Sequence, residues 1–144
     1  MEMGMKHLLR SMLVAAACSI PLAQTIACVP DQKPVLVGGF AGVDGCTSTA
    51  TVKPLKPGAT AFLAVRNAPD IRAMLADRLK SGHPVWLCGK VHNRDWIGIV
   101  YPNDRNGDLS ECEVSNEASE KAVPYRGPCR SGWVARRYLV LSAG

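Results

Sequence analysis

Motifs of the common enzyme and nucleotide-binding folds are missing from this sequence of 144 residues. It has no Gly-x-Ser-x-Gly elbow and no phosphate-binding loop, and neither CxxC nor HxxxH spacing occurs. Aromatic residues make up only 6% of the chain, and no repeat or low-complexity tract is visible. Because these signals for catalysis and cofactor binding are missing, we expect a protein that is not an enzyme and holds no cofactor.

Residues 1–27 have the order of features that is typical of a bacterial export signal. Basic Lys6 and Arg10 precede an uncharged apolar run at 13–23, and a short polar end leads to Ala27. The run is shorter than the roughly 20 apolar residues that are needed to cross a bilayer. We therefore predict a signal peptide over 1–27 and a periplasmic or secreted protein with no membrane span.

Cleavage after Ala27 would place Cys28 at the new N-terminus. A lipoprotein signal usually has Leu three residues before its cysteine, and Thr25 stands there in this sequence. A mature protein without lipid is therefore favoured, and a lipid anchor on Cys28 is the alternative.

The remaining cysteines are predicted to form disulfides, because export leads into an oxidising compartment. One of the six cysteines lies within the predicted signal, so five are left. We favour pairing Cys112 with Cys129 and Cys46 with Cys88, which leaves Cys28 unpaired or lipidated. The loops closed would hold about 18 and 43 residues, worth about 3 and 4 kcal/mol in the chain-entropy model.

Cys88 could instead be a metal ligand or a catalytic nucleophile, and one acidic loop could bind calcium. His83 and His92 lie five and four residues from Cys88, a spacing that also suits a zinc site or a Cys/His wall hydrolase. However, Cys88 lies within an apolar segment rather than at a helix N-terminus, where thiolates are activated. The acidic loop 104–111 carries several side-chain oxygens, as a calcium-binding loop does. However, Gly107 comes before Asp108, whereas an EF-hand loop has its glycine after the third ligand position. We expect no metal at either place.

Short apolar segments separated by turn residues predict a mainly β fold. Strands are predicted over Thr60–Val65, His83–Cys88, Trp96–Tyr101 and Trp133–Leu141. Residues 28–58 are rich in Pro and Gly, and they predict an irregular leader with one edge strand near Leu36. Frequent turns between short strands are typical of a small barrel.

The segment between Asn67 and Gly82 gives a different signal. Apolar residues recur there at helical spacing, at Ile71, Met74, Leu75 and Leu79. Asn67 suits a helix cap and Gly82 suits a helix stop, so local sequence alone predicts a helix.

Five motifs then occur in order along the chain: Leu63-Ala64-Val65-Arg66 with Asn67-Ala68-Pro69, Leu79-Lys80-Ser81-Gly82, Asp95-Trp96-Ile97-Gly98-Ile99-Val100-Tyr101, Gly127–Val134, and Tyr138-Leu139. Together they resemble the bacterial SH3 domains (SH3b) of exported proteins. That family has a Leu-x-Val-Arg strand before a Gly-Pro turn, a Leu-x-x-Gly step, a Trp-bearing strand, and a Gly-Trp-Val strand that ends in Tyr-Leu. The resemblance covers about 46–141 and implies an SH3-like barrel of five or six strands.

The resemblance also implies how the domain is divided. An SH3b-like domain would span 59–142, with an insertion at about 102–131, most of which Cys112 and Cys129 bracket. In the family, an extended loop and a short strand follow the Pro turn, which disagrees with the helix predicted from local sequence. Both readings stay open, with at most one or two helical turns expected between Pro69 and Lys80.

The C-terminal end of the chain is basic, because no acidic residue follows Glu120. From this stretch we predict the following ligand contacts: Tyr125, Arg126, Arg130, Arg136 and Arg137. Tyr125 lies between Pro and Gly residues and is expected to be exposed, whereas Trp96 and Trp133 are expected to be buried.

These features predict a non-enzymatic binding or structural module of the cell envelope. The SH3b resemblance and the basic stretch favour peptidoglycan or an envelope protein as its ligand. The alternative is a small secreted inhibitor or accessory protein that acts on an acidic partner surface, and a Cys/His wall hydrolase comes third. Nucleic acid is disfavoured because the protein carries an export signal.

Overall fold

The computed structural model describes residues 32–39, 46, 48–58, 61–92, 94–114 and 120–142, and for 89–92 the backbone alone. The predicted signal peptide and Cys28 lie outside these residues. Among the residues described, no helix is both long and apolar enough to span a membrane.

Short β-strands dominate the described residues, and none of these residues is in an α-helix. The strands are β1 (Leu36–Val37), β2 (Ser48–Val52), β3 (Leu63–Arg66), β4 (Leu75–Leu79), β5 (Pro84–His92), β6 (Trp96–Tyr101), β7 (Val123–Pro124), β8 (Arg130–Ala135) and β9 (Leu139–Leu141). Single 3-10 turns occur at Leu109–Cys112 and Arg136–Tyr138. The mainly β fold is therefore confirmed.

Seven strands form one antiparallel sheet in the order β4-β3-β8-β6-β5-β2-β9, and β1 pairs with β7 in a second sheet of two strands. In the described part of the chain, β4 and β9 are the two edges of the large sheet and do not pair with each other. The sheet is therefore open, and a small barrel is not confirmed.

Apolar side chains are buried on both faces of the central strands. One layer is formed by alternate residues of β2, β3, β5 and β6 with parts of β4, β8 and β9: Ala50, Val52, Leu63, Val65, Leu79, Val85, Leu87, Ile97, Ile99, Tyr101, Val134 and Leu139. The other layer, here called the outer layer, contains Val35, Val37, Cys46, Cys88, Val100, Cys112, Val114 and Trp133. A strand that is covered on both faces is continuously apolar, which explains why β6 reads Trp-Ile-Gly-Ile-Val-Tyr.

The residues around β1 and the inserted segment cover the outer layer. Trp133 is 5% exposed, as expected, and its indole Nε1 donates a hydrogen bond to the carbonyl oxygen of Lys33 at 2.7 Å. A side chain at Gly98 would come within 3.0 Å of Val35, so glycine allows this close approach. Trp96 differs from the expectation, because it is only half-buried.

Both favoured disulfides are present in the structure. Cys46 is bonded to Cys88, and Cys112 is bonded to Cys129. The first bond ties the segment before β2 to β5, and the second closes the insertion just before β8. Two disulfides are typical of a protein that folds outside the cytoplasm.

The helix that local sequence predicts between Asn67 and Lys80 is wrong. Residues 67–74 form a series of bends, and Leu75–Leu79 is the edge strand β4, paired with β3. Leu79 is buried, but Ile71 and Met74 are 68% and 50% exposed. The helical spacing was therefore incidental, because pairing with β3 outweighs the local preference. The family-based expectation of a loop and a short strand agrees with the structure.

The leader expected to be irregular contains an internal strand. Residues 48–52 form β2, which pairs with β5 on one side and with β9 on the other. Its burial alternates, with Ala50 and Val52 in the apolar core. The edge strand expected near Leu36 is present as β1. The expected strand over Trp133–Leu141 is divided by the 3-10 turn into β8 and β9.

Candidate ligand-binding groove

A groove of about 820 Å³ lies between the 3-10 turn that precedes β9 and the loop that joins β3 to β4. Its walls combine apolar, aromatic and charged side chains: Lys53, Pro54, Leu55, Lys56, Ala61, Phe62, Leu63, Ala64, Arg66, Ile71, Asp95, Trp96, Ala135, Arg137 and Tyr138. Clefts with apolar walls and a few charged groups are the usual form of a binding site.

One wall is the 3-10 turn Arg136–Tyr138, which hydrogen bonds hold at three points. The backbone N–H of Lys53 donates to the Tyr138 carbonyl at 2.8 Å, and the Lys53 ammonium donates to the Arg137 carbonyl at 2.7 Å. The backbone N–H of Arg136 donates to the Asp95 carbonyl at 2.7 Å. The turn therefore presents the side chains of Arg137 and Tyr138 from a fixed backbone.

Arg137 and Tyr138 also contact each other across the mouth of the groove. The guanidinium carbon of Arg137 lies 4.9 Å from the centre of the Tyr138 ring, within the range of a cation–π contact. Tyr138 is 38% exposed. Together they offer a positive charge beside an exposed aromatic face.

Another part of the wall is Ile71, which lies on residues 67–74, here called the rim loop. The backbone N–H of Asn67 donates to the Met74 carbonyl at 3.0 Å, and a guanidinium nitrogen of Arg66 donates to the Ala73 carbonyl at 2.7 Å. Asp70 accepts a backbone hydrogen bond from Arg72 at 2.8 Å and forms an ion pair with its side chain at 3.2 Å. These bonds lower the pKa of Asp70. Ala73 is buried, so the loop is pinned at its base.

Four cations and one acid line the groove. Lys53, Lys56 and Arg137 are exposed, and Arg66 is half-buried. Asp95 is the one acidic residue among the lining residues that the structure describes. The groove therefore attracts a negatively charged ligand.

A polar network of Tyr101, Asp77 and Arg130 attaches β4 to the core. The Tyr101 hydroxyl donates to Asp77 at 3.1 Å, and Arg130 forms an ion pair with the same carboxylate at 2.9 Å. Burial alone would raise the pKa of Asp77, but hydrogen bonds from the Arg78 backbone, Arg130 and Tyr101 outweigh it, and the pKa is lowered. Burial and the neighbouring Asp77 carboxylate raise the pKa of Tyr101, so its hydroxyl stays a donor.

Of the five ligand contacts predicted from sequence, Arg137 alone lines this groove. Arg130 forms the ion pair with Asp77 instead, and Arg126 and Arg136 are exposed outside the groove. Tyr125 is half-buried against the outer layer, and the expectation that it is exposed is not met. Its hydroxyl donates to the Cys112 carbonyl at 2.7 Å and accepts from the Cys129 N–H at 3.1 Å. The ring thus braces the disulfide loop.

Sequence reasoning missed most of the groove because its residues come from four separate segments. The basic pair Lys53 and Lys56 flanks Pro54-Leu55 in the supposed leader, and that pattern was a usable signal. Tyr138 belongs to the Tyr-Leu motif of the SH3b resemblance. The exposure of Ile71 could not be read while a helix was expected there.

The residues considered for metal binding and catalysis have other roles. The Cys88 sulfur is bonded to Cys46, so it is neither a thiolate ligand nor a nucleophile. His83 is buried, and its Nε2 lies 3.0 Å from the Pro102 carbonyl oxygen. In the acidic loop, Asp104 and Asp108 each accept a hydrogen bond from a backbone N–H two residues on. The side chain of His92 lies outside the described residues.

No protein-family model, curated protein or solved structure matches the chain. The SH3b resemblance therefore rests on the sequence motifs.

Proposed function

We propose that this protein is a non-enzymatic, SH3b-like binding module of the bacterial cell envelope, periplasmic or secreted, with peptidoglycan or an envelope protein as its ligand. The observation that carries the proposal is the groove, which combines apolar walls with four cations and includes Ile71 and the hydrogen-bonded turn that carries Arg137 and Tyr138. A preorganised cleft binds more tightly than a mobile one, because less conformational entropy is lost on binding.

The arrangement of strands sets the position of the groove. β5, β6 and β8 are consecutive neighbours in the large sheet, and β2 lies next to β9, the last strand of the chain. The groove lies where the turn before β9 meets the β3–β4 hairpin.

Cosedimentation with isolated cell-wall sacculi tests the function, using protein obtained by expressing the full chain. At about 0.01 M salt, where the Debye length is about 30 Å, Arg137→Gln should reduce the bound fraction because it removes a groove cation. Tyr138→Ala should reduce binding also at about 1 M salt, where the Debye length is about 3 Å, because ring contact is not screened. Arg126→Gln is the matched control, since Arg126 is exposed and lies outside the groove.

The outcomes separate the two ligand classes. Capture of a discrete envelope protein without retention on sacculi would reject the wall ligand and leave the partner protein. Equal loss of binding in the Arg126 and Arg137 variants would show that binding depends on the overall positive charge and not on the groove. If neither sacculi nor envelope proteins are bound, the protein is not a binding module.

A further inference from the structure

The uncharged part of the groove walls is mostly apolar. Among the described lining residues there is no Ser, Thr, Asn, Gln or His, and most of the uncharged residues are aliphatic or aromatic. Polar groups of a ligand that lose water against these walls regain hydrogen bonds only where they reach a charged side chain or the Tyr138 hydroxyl. The walls therefore suit a ligand that combines apolar side chains with charged groups.

The charges of the groove and of the adjoining hairpin favour an acidic ligand. Beside the four groove cations, Arg78 and Lys80 are exposed on the adjoining β3–β4 hairpin, where Arg72 is paired with Asp70. Arg78 lies 5.0 Å from the Phe62 ring, which itself lines the groove. Positive charge thus continues from the groove onto the hairpin.

Ile71 is the most exposed of the large apolar side chains that the structure describes. It is 68% exposed and lines the groove, while the rim loop beneath it is fixed by hydrogen bonds and by buried Ala73. An apolar side chain on a rigid loop gains contact area on binding with little loss of entropy. Met74, on the same loop, is 50% exposed but does not line the groove.

We propose that the groove binds an extended acidic segment of an envelope protein, in which carboxylates are interspersed with apolar side chains, and that Ile71 determines its specificity. This inference rests on the proposed function, because it names the ligand of the same groove. The carboxylates face Lys53, Lys56 and Arg137, and an apolar side chain of the ligand packs on Ile71.

The probe is a fluorescein-labelled peptide of about ten residues, roughly 33 Å long when extended. Glu and Leu alternate in it, with a central Pro that prevents self-association. Two matched peptides replace every Glu by Gln or every Leu by Ser. Fluorescence anisotropy with the disulfide-bonded protein should show binding of the Glu–Leu peptide and at least about tenfold weaker binding of both others, because each lacks one of the two contacts.

Ile71→Ser should weaken binding of the Glu–Leu peptide about fivefold, and Met74→Ser should leave it within about twofold. Both residues are exposed, so both variants should fold, and unfolding midpoints will check this. If the two variants bind equally well, Ile71 does not determine specificity. If the Gln–Leu peptide binds as tightly as the Glu–Leu peptide, the ligand is not acidic.

The sacculus assay distinguishes failure of this inference from failure of the proposed function. The parent protein could be retained on sacculi, and Tyr138→Ala could lose this retention, while the Glu–Leu peptide does not bind. This result would overturn the acidic-segment proposal and keep the binding module. The acidic-segment proposal would be supported if an envelope protein is captured, if the Glu–Leu peptide displaces that protein, and if Ile71→Ser weakens the capture. The absence of binding in every assay would overturn both.

Discussion

Tyr101→Phe is expected to destabilise the protein by removing one hydrogen bond and nothing else. The Tyr101 ring is 2% exposed, and its hydroxyl donates to Asp77 at 3.1 Å. A hydrogen bond to a charged group contributes about 1.5–3 kcal/mol. The carboxylate keeps its bond to Arg130, and the Asp77 side chain is 26% exposed, so water replaces part of the loss. We therefore expect a cost near the lower limit, about 1.5 kcal/mol, or about 6 °C in the melting temperature for a domain of this size.

Urea unfolding followed by tryptophan fluorescence, with the disulfides intact, measures the cost. Tyr138→Phe is the control, because the Tyr138 hydroxyl has only a 3.4 Å contact with exposed Arg137. It should change stability by less than about 0.5 kcal/mol. A double-mutant cycle with Asp77→Ala, which removes the acceptor, should give a coupling energy of about 1 kcal/mol. Additive effects, or a Phe variant as stable as the parent, would show that this bond does not hold β4.

The same variant has a pH signature. Because the folded-state pKa of Asp77 is lowered, its contribution to stability is present above the unfolded value of about 3.9 and is lost as pH falls through the folded pKa. The Phe variant has less of this contribution to lose. Its stability deficit should therefore shrink on acidification, and a deficit that is constant with pH would assign the loss to packing instead.

Three further changes test other parts of the structure. Burial lowers the pKa of His83, although its Pro102 contact and Asp77 oppose this, so the unfolded chain takes up a proton first and stability should fall as pH drops below about 6.5. The melting temperature of His83→Gln should depend less on pH, and an unchanged pH dependence would refute this. Replacing Cys46 and Cys88 together by Ser should cost about 4 kcal/mol in urea unfolding, against about 3 kcal/mol for the Cys112 and Cys129 pair, and the reverse order would contradict chain entropy as the cause. Gly132→Ala should cost about 1–3 kcal/mol, because its Cβ would collide with Val65 and lie 3.1 Å from the Arg66 carbonyl oxygen; a neutral result in the same assay would mean that β3 moves away freely.

The parts of the fold that sequence predicted are those in which local pattern and burial agree. β6 was predicted with its observed bounds because both of its faces are covered, which produces an uninterrupted apolar segment between turn residues. The formation of disulfides followed from the number of cysteines and from the compartment, and both favoured pairs are present. Such features need no knowledge of which strands become neighbours.

The parts that sequence did not predict depend on distant pairing. β2 consists of small and β-branched residues, Ser-Thr-Ala-Thr-Val, that mark no strand until β5 and β9 flank it. The β4 segment has helical spacing, yet it pairs with β3 and is anchored by Asp77. The groove was missed for the same reason, because Lys56, Ile71 and Tyr138 meet only after the sheet has formed.

The basic end of the chain divides into a structural part and a part that lines the groove. Tyr125, before β8, hydrogen-bonds within the disulfide loop, and Arg130, in β8, forms an ion pair with Asp77. Both side chains therefore make contacts that stabilise the fold. After β8, the 3-10 turn directs Arg137 and Tyr138 into the groove. A uniform cationic field would make all these arginines equivalent toward an anionic ligand. Their different contacts imply instead that loss of Arg137 weakens binding, whereas loss of Arg130 weakens the anchoring of β4 and reaches the groove only through the rim loop.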